Sequence, residues 1–270
     1  MSLLSWFKNK FARRPIDLEF AASAITDRGL ARKDNQDAFL SLPELGFFCV
    51  SDGMGGCSNG ALASKWICEA LAEACPKFVA EGTSGVTRVR CLNTTLQQVN
   101  ACIRAYIHEK GLKAMGATVA LLLFDSANRS HAVIAHAGDS RVYRLRKGLL
   151  RRLTRDHTVG EELSRKASSR REAASLGARS NPLTHILTRA VGTEYKVRAA
   201  WKRIDVMPGD RFLICSDGVH DMLDDGQIAA VMNAGGTPEQ ISMRLESEVV
   251  AAGAGDNYSI VCIEVRAKRA

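Results

Sequence analysis

Between Gly46 and Ser51 the chain reads Gly-Phe-Phe-Cys-Val-Ser, an apolar run of strand length that delivers Asp52 into a glycine-rich turn, Gly53-Met54-Gly55-Gly56. A 3.6-residue rhythm follows. Ala61, Leu62, Trp66, Ile67, Ala70, Leu71 and Ala74 predict a helix over 59–80, and Val89, Leu92, Leu96, Val99, Ile103 and Ile107 predict a second over 86–108. From 116 the stretches 116–124, 130–137, 140–145 and 149–153 are short, aliphatic or β-branched, and separated by turn residues, the pattern of an antiparallel meander. The rhythm breaks over 156–181, a polar and basic segment that reads as a loop or helical flap, before 183–191 turns apolar again. Strands are predicted over 197–204 and 211–215, joined by the turn Met207-Pro208-Gly209-Asp210. Helices are predicted over 225–233 and 238–252, the second opened by Thr237 as N-cap with Pro238 in its first position, and a strand over 258–265 closes the pattern. Helix pairs alternating with hairpin-rich segments predict an α+β domain in which two antiparallel sheets pack together with helices outside.

The length of 270 residues and 46% hydrophobic content suit one large domain, and with 6 prolines no proline-rich linker divides it. Residues 1–18 read as a basic amphipathic extension and 19–267 as the main folded domain. A net charge of +8 invites a nucleic-acid reading, but the basic residues lie in separate places with no aromatic-rich motif among them, so no specific nucleic-acid partner is expected. The opening mixture of Trp6, Phe7, Lys8, Lys10, Arg13 and Arg14 could lie on an anionic membrane; a docking helix or frayed terminus is the preferred reading. No segment has the length and apolarity of a membrane span, and the 8 cysteines include no Cys-x-x-Cys pair, so reduced thiols in a cytoplasmic protein are expected. None is followed six positions later by arginine, which removes the cysteine-dependent phosphatase loop.

Four carboxylates sit beside glycine, asparagine or a strand end: Asp37, Asp52, Asp217 and Asp256. Two share a construction, since Phe47 to Gly53 and Arg211 to Gly218 each end a hydrophobic strand in Ser-Asp-Gly. The strand fixes the carboxylate and the glycine permits close approach. Oxygen donors without a cysteine or histidine cluster point to Mg²⁺ or Mn²⁺ rather than Zn²⁺. Two such ions sharing a carboxylate would sit roughly 3.5–4 Å apart and activate a water for in-line attack on phosphorus. Arg32, five residues before Asp37, could bind phosphate oxygens with its planar fork.

In chain order the segments Thr26 to Asp37, Ser51-Asp52-Gly53-Met54-Gly55-Gly56, Gly116-Ala117-Thr118, Ala137-Gly138-Asp139-Ser140-Arg141, Leu153 to Thr158, Leu187 to Gly192, Ser216-Asp217-Gly218 and Asp256-Asn257 resemble the metal-dependent protein phosphatases of the 2C type, particularly compact bacterial members. The resemblance implies a central antiparallel β-sandwich flanked by helix pairs, in α-β-β-α layers, and hydrolysis of phosphoserine and phosphothreonine in proteins. It implies that Asp52 bridges two ions, that the Gly53 carbonyl binds the second, and that Asp217 and Asp256 complete the first. Asp37 would hold water at the second ion and Arg32 the substrate phosphate. Asp139 and Asp221 match positions for a third, weaker ion, with a salt bridge or a turn as the alternative for both. Phosphorylated proteins are the implied substrates, a serine/threonine kinase the counterpart, and a monomer the expected state.

Two residues depart from the family pattern. Gln36 stands where many relatives have glutamate, and Met54 where eukaryotic relatives often have the histidine that protonates the leaving group; His157 is a poor substitute, read as structural. Arg165, Lys166, Arg170 and Arg171 on the flap either attract acidic substrates or are merely solvated. A non-catalytic phosphoprotein-binding module is the competing reading, with Gln36 as the feature in its favour.

Overall fold

The computed structural model describes residues 18–55, 58–79, 85–125, 130–178 and 180–268, so the amphipathic reading of the N-terminus lies, but for residue 18, outside the described residues. One sheet has the order β1 (Leu18–Asp27), β11 (Tyr258–Ala267), β10 (Arg211–Cys215), β7 (Arg141–Arg146) and β8 (Leu149–Arg152). The other runs β2 (Asp37–Leu42), β3 (Phe47–Met54), β5 (Val119–Phe124), β6 (His131–Ala137) and β9 (Ala200–Asp205), with the short β4 (Gly116–Ala117) on the far end of β3. Helices α1 (Ser58–Val79) and α2 (Gly85–Lys110) pack on each other, and α1 lies on β2 and β3. After the flap helices α3 (Val159–Lys166) and α4 (Arg170–Leu176) come α5 (Asp217–His220), α6 (Asp225–Asn233) and α7 (Pro238–Ala251), the last covering β1 and β11.

The two-residue period of each strand builds three separate cores. On β3 and β5, Phe47, Cys49, Val119, Leu121 and Leu123 meet Ile67, Leu71, Leu92 and Leu96 of the first helix pair. The intervening Phe48, Val50, Ala120, Leu122 and Phe124 face the opposite sheet, where Phe212, Ile214, Val261 and Ile263 meet them. Leu213, Cys215, Ile260 and Cys262 then face Ile228, Ile241 and Leu245 of the second helix pair. The central strands are apolar on both faces because both faces are covered, and the layers run α-β-β-α.

The structure adds two strands that the apolar pattern did not predict. β1, with the sequence LEFAASAITD, carries small residues at most inward positions, and it is defined by pairing with β11 from Leu18↔Ala267 to Asp27↔Tyr258. β2 is an edge strand whose register on β3 sets Asp37 opposite Asp52. Two predicted strands are shorter than expected. The stretch 116–124 is interrupted at Thr118, whose N–H donates to the Asp52 carbonyl at 2.8 Å while its hydroxyl accepts from Asp52 N–H. The strand predicted over 197–204 begins at Ala200, because the side chain of Gln97 takes both the N–H and the carbonyl of Val197. The apolar 183–191 segment forms a 3-10 turn, Pro182–His185, and then buries Ala190 and Val191 without a strand. Among the described residues no helix is long and apolar enough to cross a membrane.

Candidate metal centre

The core between the sheets turns polar at one end, and the strand period decides which residues arrive there. Continuing inward-facing positions leads from Val50 to Asp52 on β3, from Ile214 to Ser216 past β10, from Val261 to Ser259 on β11 and from Ala24 to Thr26 on β1. Asp37 joins them from β2, and its Oδ2 accepts from Ser216 Oγ at 2.6 Å and from Ser259 Oγ at 2.8 Å. Its Oδ1, like Asp217 Oδ1, is buried and has no hydrogen-bond partner.

Glycines let the backbones close on this end of the sandwich. A Cβ on Gly53 would lie 2.1 Å from the Gly60 carbonyl oxygen, and one on Gly218 2.0 Å from that of Asn257. Asn257 holds the loop between β1 and β2: its Oδ1 accepts from Gln36 N–H at 2.9 Å, and its Nδ2 donates to the carbonyls of Arg28 and Asp34 at 2.8 and 2.9 Å. That loop carries Arg32, whose guanidinium donates to Asp256 Oδ2 at 2.6 Å at the half-exposed rim.

A cavity of about 610 Å³ opens here, lined by Arg32, Gln36, Asp52, Gly53, Asp139, His185, Arg189, Asp217 and Asp256 among others. Asp37 stands behind it. Asp221 lines a smaller adjoining cavity of about 120 Å³ together with Asp139, His185 and His220. The nitrogens His185 Nδ1 and His220 Nδ1 each lie 3.4 Å from the Asp221 carboxylate. His157 is buried elsewhere, stacked on His136 with ring centroids 4.5 Å apart, and burial pushes it down to about 3. It does not line the cavity.

Burial is the first cause of the carboxylates' weak acidity. It pushes Asp37 and Asp217 up to about 6, and with the repulsion of neighbouring aspartates it holds Asp52 and Asp139 well above the usual range. Like charges this close and this dry must bind protons or a cation. At this end of the sandwich the buried oxygens without donors, Asp37 Oδ1 and Asp217 Oδ1, are carboxylate oxygens and suit hard divalent ions. Among the described residues no three His, Cys, Asp or Glu side chains are drawn close enough to enclose an ion by themselves.

Sequence reasoning named the acids and missed what holds them. Ser216 lies within the Ser-Asp-Gly motif and Ser259 two residues past Asn257, but their joint grip on Asp37 depends on two sheets meeting. His220 has a local signal, lying between Asp217 and Asp221 in one helical turn; His185 has none, since only the fold brings it to Asp221.

Comparison with known proteins supplies the remaining findings. The family model described as Protein phosphatase 2C matches residues 29–242. The serine/threonine phosphatase stp of Listeria monocytogenes is 31% identical over 243 residues, 88% of this chain and 93% of that protein. The solved structure of PppA, a key regulatory component of T6SS in Pseudomonas aeruginosa, superposes with a TM-score of 0.80 at 31% identity, covering 92% of this chain and 100% of that one. The catalytic domain of the serine/threonine protein phosphatase PstP, solved in complex with two manganese ions, superposes with a TM-score of 0.78 at 28% identity, covering 93% of this chain and all of that one.

Proposed function

The chain belongs to the protein phosphatase 2C family, and from that premise we propose how its own residues divide the work. The activity is metal-dependent hydrolysis of phosphoserine and phosphothreonine in proteins, with Mg²⁺ or Mn²⁺ as the cofactor.

Asp52, the Gly53 carbonyl, Asp217 and Asp256 would hold two divalent ions at the polar end of the sandwich. Bound there, the ions supply the charge that makes a water nucleophilic near neutral pH and offsets charge on the phosphate oxygens. Asp37, pinned through Oδ2 by Ser216 and Ser259, keeps Oδ1 without a partner and would use it to orient water beside the ions. Arg32 turns its fork from Asp256 to the phosphate of the substrate, and Asn257 keeps the loop that carries it in place. Asp139 and Asp221, which line the adjoining cavity, would hold a third, weaker ion. Residues 19–267 act as the catalytic unit, 156–181 as its flap and 1–18 as an appendage; the enzyme works as a cytoplasmic monomer opposite a serine/threonine kinase.

The observation that carries this division is the cluster of buried carboxylates with unpartnered oxygens at the polar end of the sandwich. Titrating Mn²⁺ against hydrolysis of p-nitrophenyl phosphate and of a phosphothreonine peptide tests it. Activity is expected to rise with the metal and vanish in EDTA and in Asp52→Asn; full turnover in EDTA would refute it.

A further inference from the structure

Beside the catalytic cavity the chain builds a rigid exposed ledge that the chemistry above does not use. Thr193 and Glu194 line the catalytic cavity, and the next two residues, Tyr195 and Lys196, line a separate open groove of about 590 Å³. Its other wall is one face of α2, with Asn93, Gln97, Ala101 and Arg104 at helical spacing. The linings of the two cavities therefore adjoin in the chain at Glu194 and Tyr195.

This loop is clamped from below. Asn100 donates through Nδ2 to the carbonyls of Glu194 and Tyr195 at 3.1 and 3.3 Å, and its Oδ1 accepts from Gly192 N–H at 2.7 Å. Gln97 holds both backbone groups of Val197. Two side-chain amides of one helix thus fix the backbone on either side of Tyr195, yet the residue is 81% exposed, with the Arg104 guanidinium 6.0 Å from its ring centroid. An aromatic held out to solvent on a fixed backbone leaves only its two side-chain torsions to be ordered on binding, which suits a contact residue.

The charge is one-sided. Arg104 and Lys196 are the charged residues lining the groove, and neither has an ion-pair partner among the described residues. Glu194, the acid on the loop, is committed to Arg198 at 2.5 Å.

We infer that the groove between Tyr195-Lys196 and α2 is a docking site for acidic residues flanking the phosphorylated residue of a protein substrate. The inference rests on the phosphatase reading. A segment leaving the catalytic cavity over Glu194 meets Tyr195 first, as a flat apolar contact, and Arg104 and Lys196 next, as counter-charges to Asp or Glu. The site confers a preference among phosphoproteins, and p-nitrophenyl phosphate, too small to leave the catalytic cavity, does not sense it.

Steady-state kinetics on two phosphothreonine peptides, identical but for three flanking aspartates replaced by asparagines, test it beside p-nitrophenyl phosphate. The unaltered enzyme is expected to favour the acidic peptide. Tyr195→Ala and Lys196→Glu are each expected to raise KM for that peptide about five- to tenfold, the size of a typical contact-residue loss. Tyr195→Phe keeps the preference, and kcat/KM for p-nitrophenyl phosphate stays unchanged in all three, which also shows that the variants fold. Indifference of the unaltered enzyme to the aspartates, or variants that shift all substrates alike, would overturn the docking site. Absence of turnover on every substrate would refute the phosphatase reading alone. Docking is then read from fluorescence anisotropy of the labelled acidic peptide, which supports it if Lys196→Glu weakens binding and overturns it if binding is equal.

Discussion

At the scale of single residues, the carboxylates bear opposite consequences for catalysis and for the metal-free fold. Asp217 is buried with its pKa pushed up to about 6, so above that pH the folded state bears an unpaired charge that the unfolded chain hydrates. A raised carboxyl pKa means that the folded state binds more protons, and its stability falls as pH rises from the ordinary value of 3.8 through about 6. Asp217→Asn removes that burden. In EDTA at pH 8 the variant is expected to be more stable than the parent by about 3 kcal/mol, the worth of a shift of this size, and the advantage should disappear below pH 4. Urea melts of both proteins across pH check it; an equal or larger advantage at low pH would contradict the cause assigned. The same substitution should cut Mn²⁺-dependent turnover by about 10² to 10⁴, since a catalytic ion is worth several kcal/mol.

Elements decide how precisely those residues are held. The loop from β1 to β2 is tied at several points, among them the Leu30 N–H to the Ala254 carbonyl and Ser64 Oγ to the Gln36 carbonyl, and Asn257→Ala breaks three further hydrogen bonds to it. The expected cost is about 2 kcal/mol of stability at roughly 1 kcal/mol or less per bond. KM for the phosphopeptide should rise together with it, because Arg32 rides on that loop; calorimetry and kinetics on one preparation would show whether the two losses travel together. α7 provides the contrast. Its N-terminus is closed by a capping box of Thr237 and Gln240, remote from the cavity, so Thr237→Ala is expected to cost about 1 kcal/mol and leave kcat and KM alone. The cap was legible in the sequence as Thr-Pro-Glu, since capping is local chemistry. β1 was not legible, because its small residues carry no strong period and its identity comes from the ladder with β11.

For the whole molecule, the metal centre is also a fastener. The proposed ligands come from β3, from the start of α5 and from the turn before β11, so an ion that binds them joins both sheets at one end. Because binding selects the folded state, stabilisation should reach about 2.7 kcal/mol at a hundred times Kd. Melting temperature should therefore climb with Mn²⁺ and fall back on adding EDTA; a melting temperature indifferent to Mn²⁺ would show that no ion binds between the sheets. The sequence by itself determined the layered α+β class, because strands apolar on both faces and helices apolar on one have few ways to be covered. It also determined the kind of chemistry, because two strands ending in Ser-Asp-Gly, with further acids before glycine or asparagine, are oxygen donors and little else. Only the tertiary structure decided which acids share a cavity. Strand register set Asp37 across from Asp52, the meeting of the sheets brought Ser216 and Ser259 onto Asp37, and the 3-10 turn beyond the flap brought His185 to Asp221. Those relations span long stretches of chain, and no local pattern records a distance across a fold.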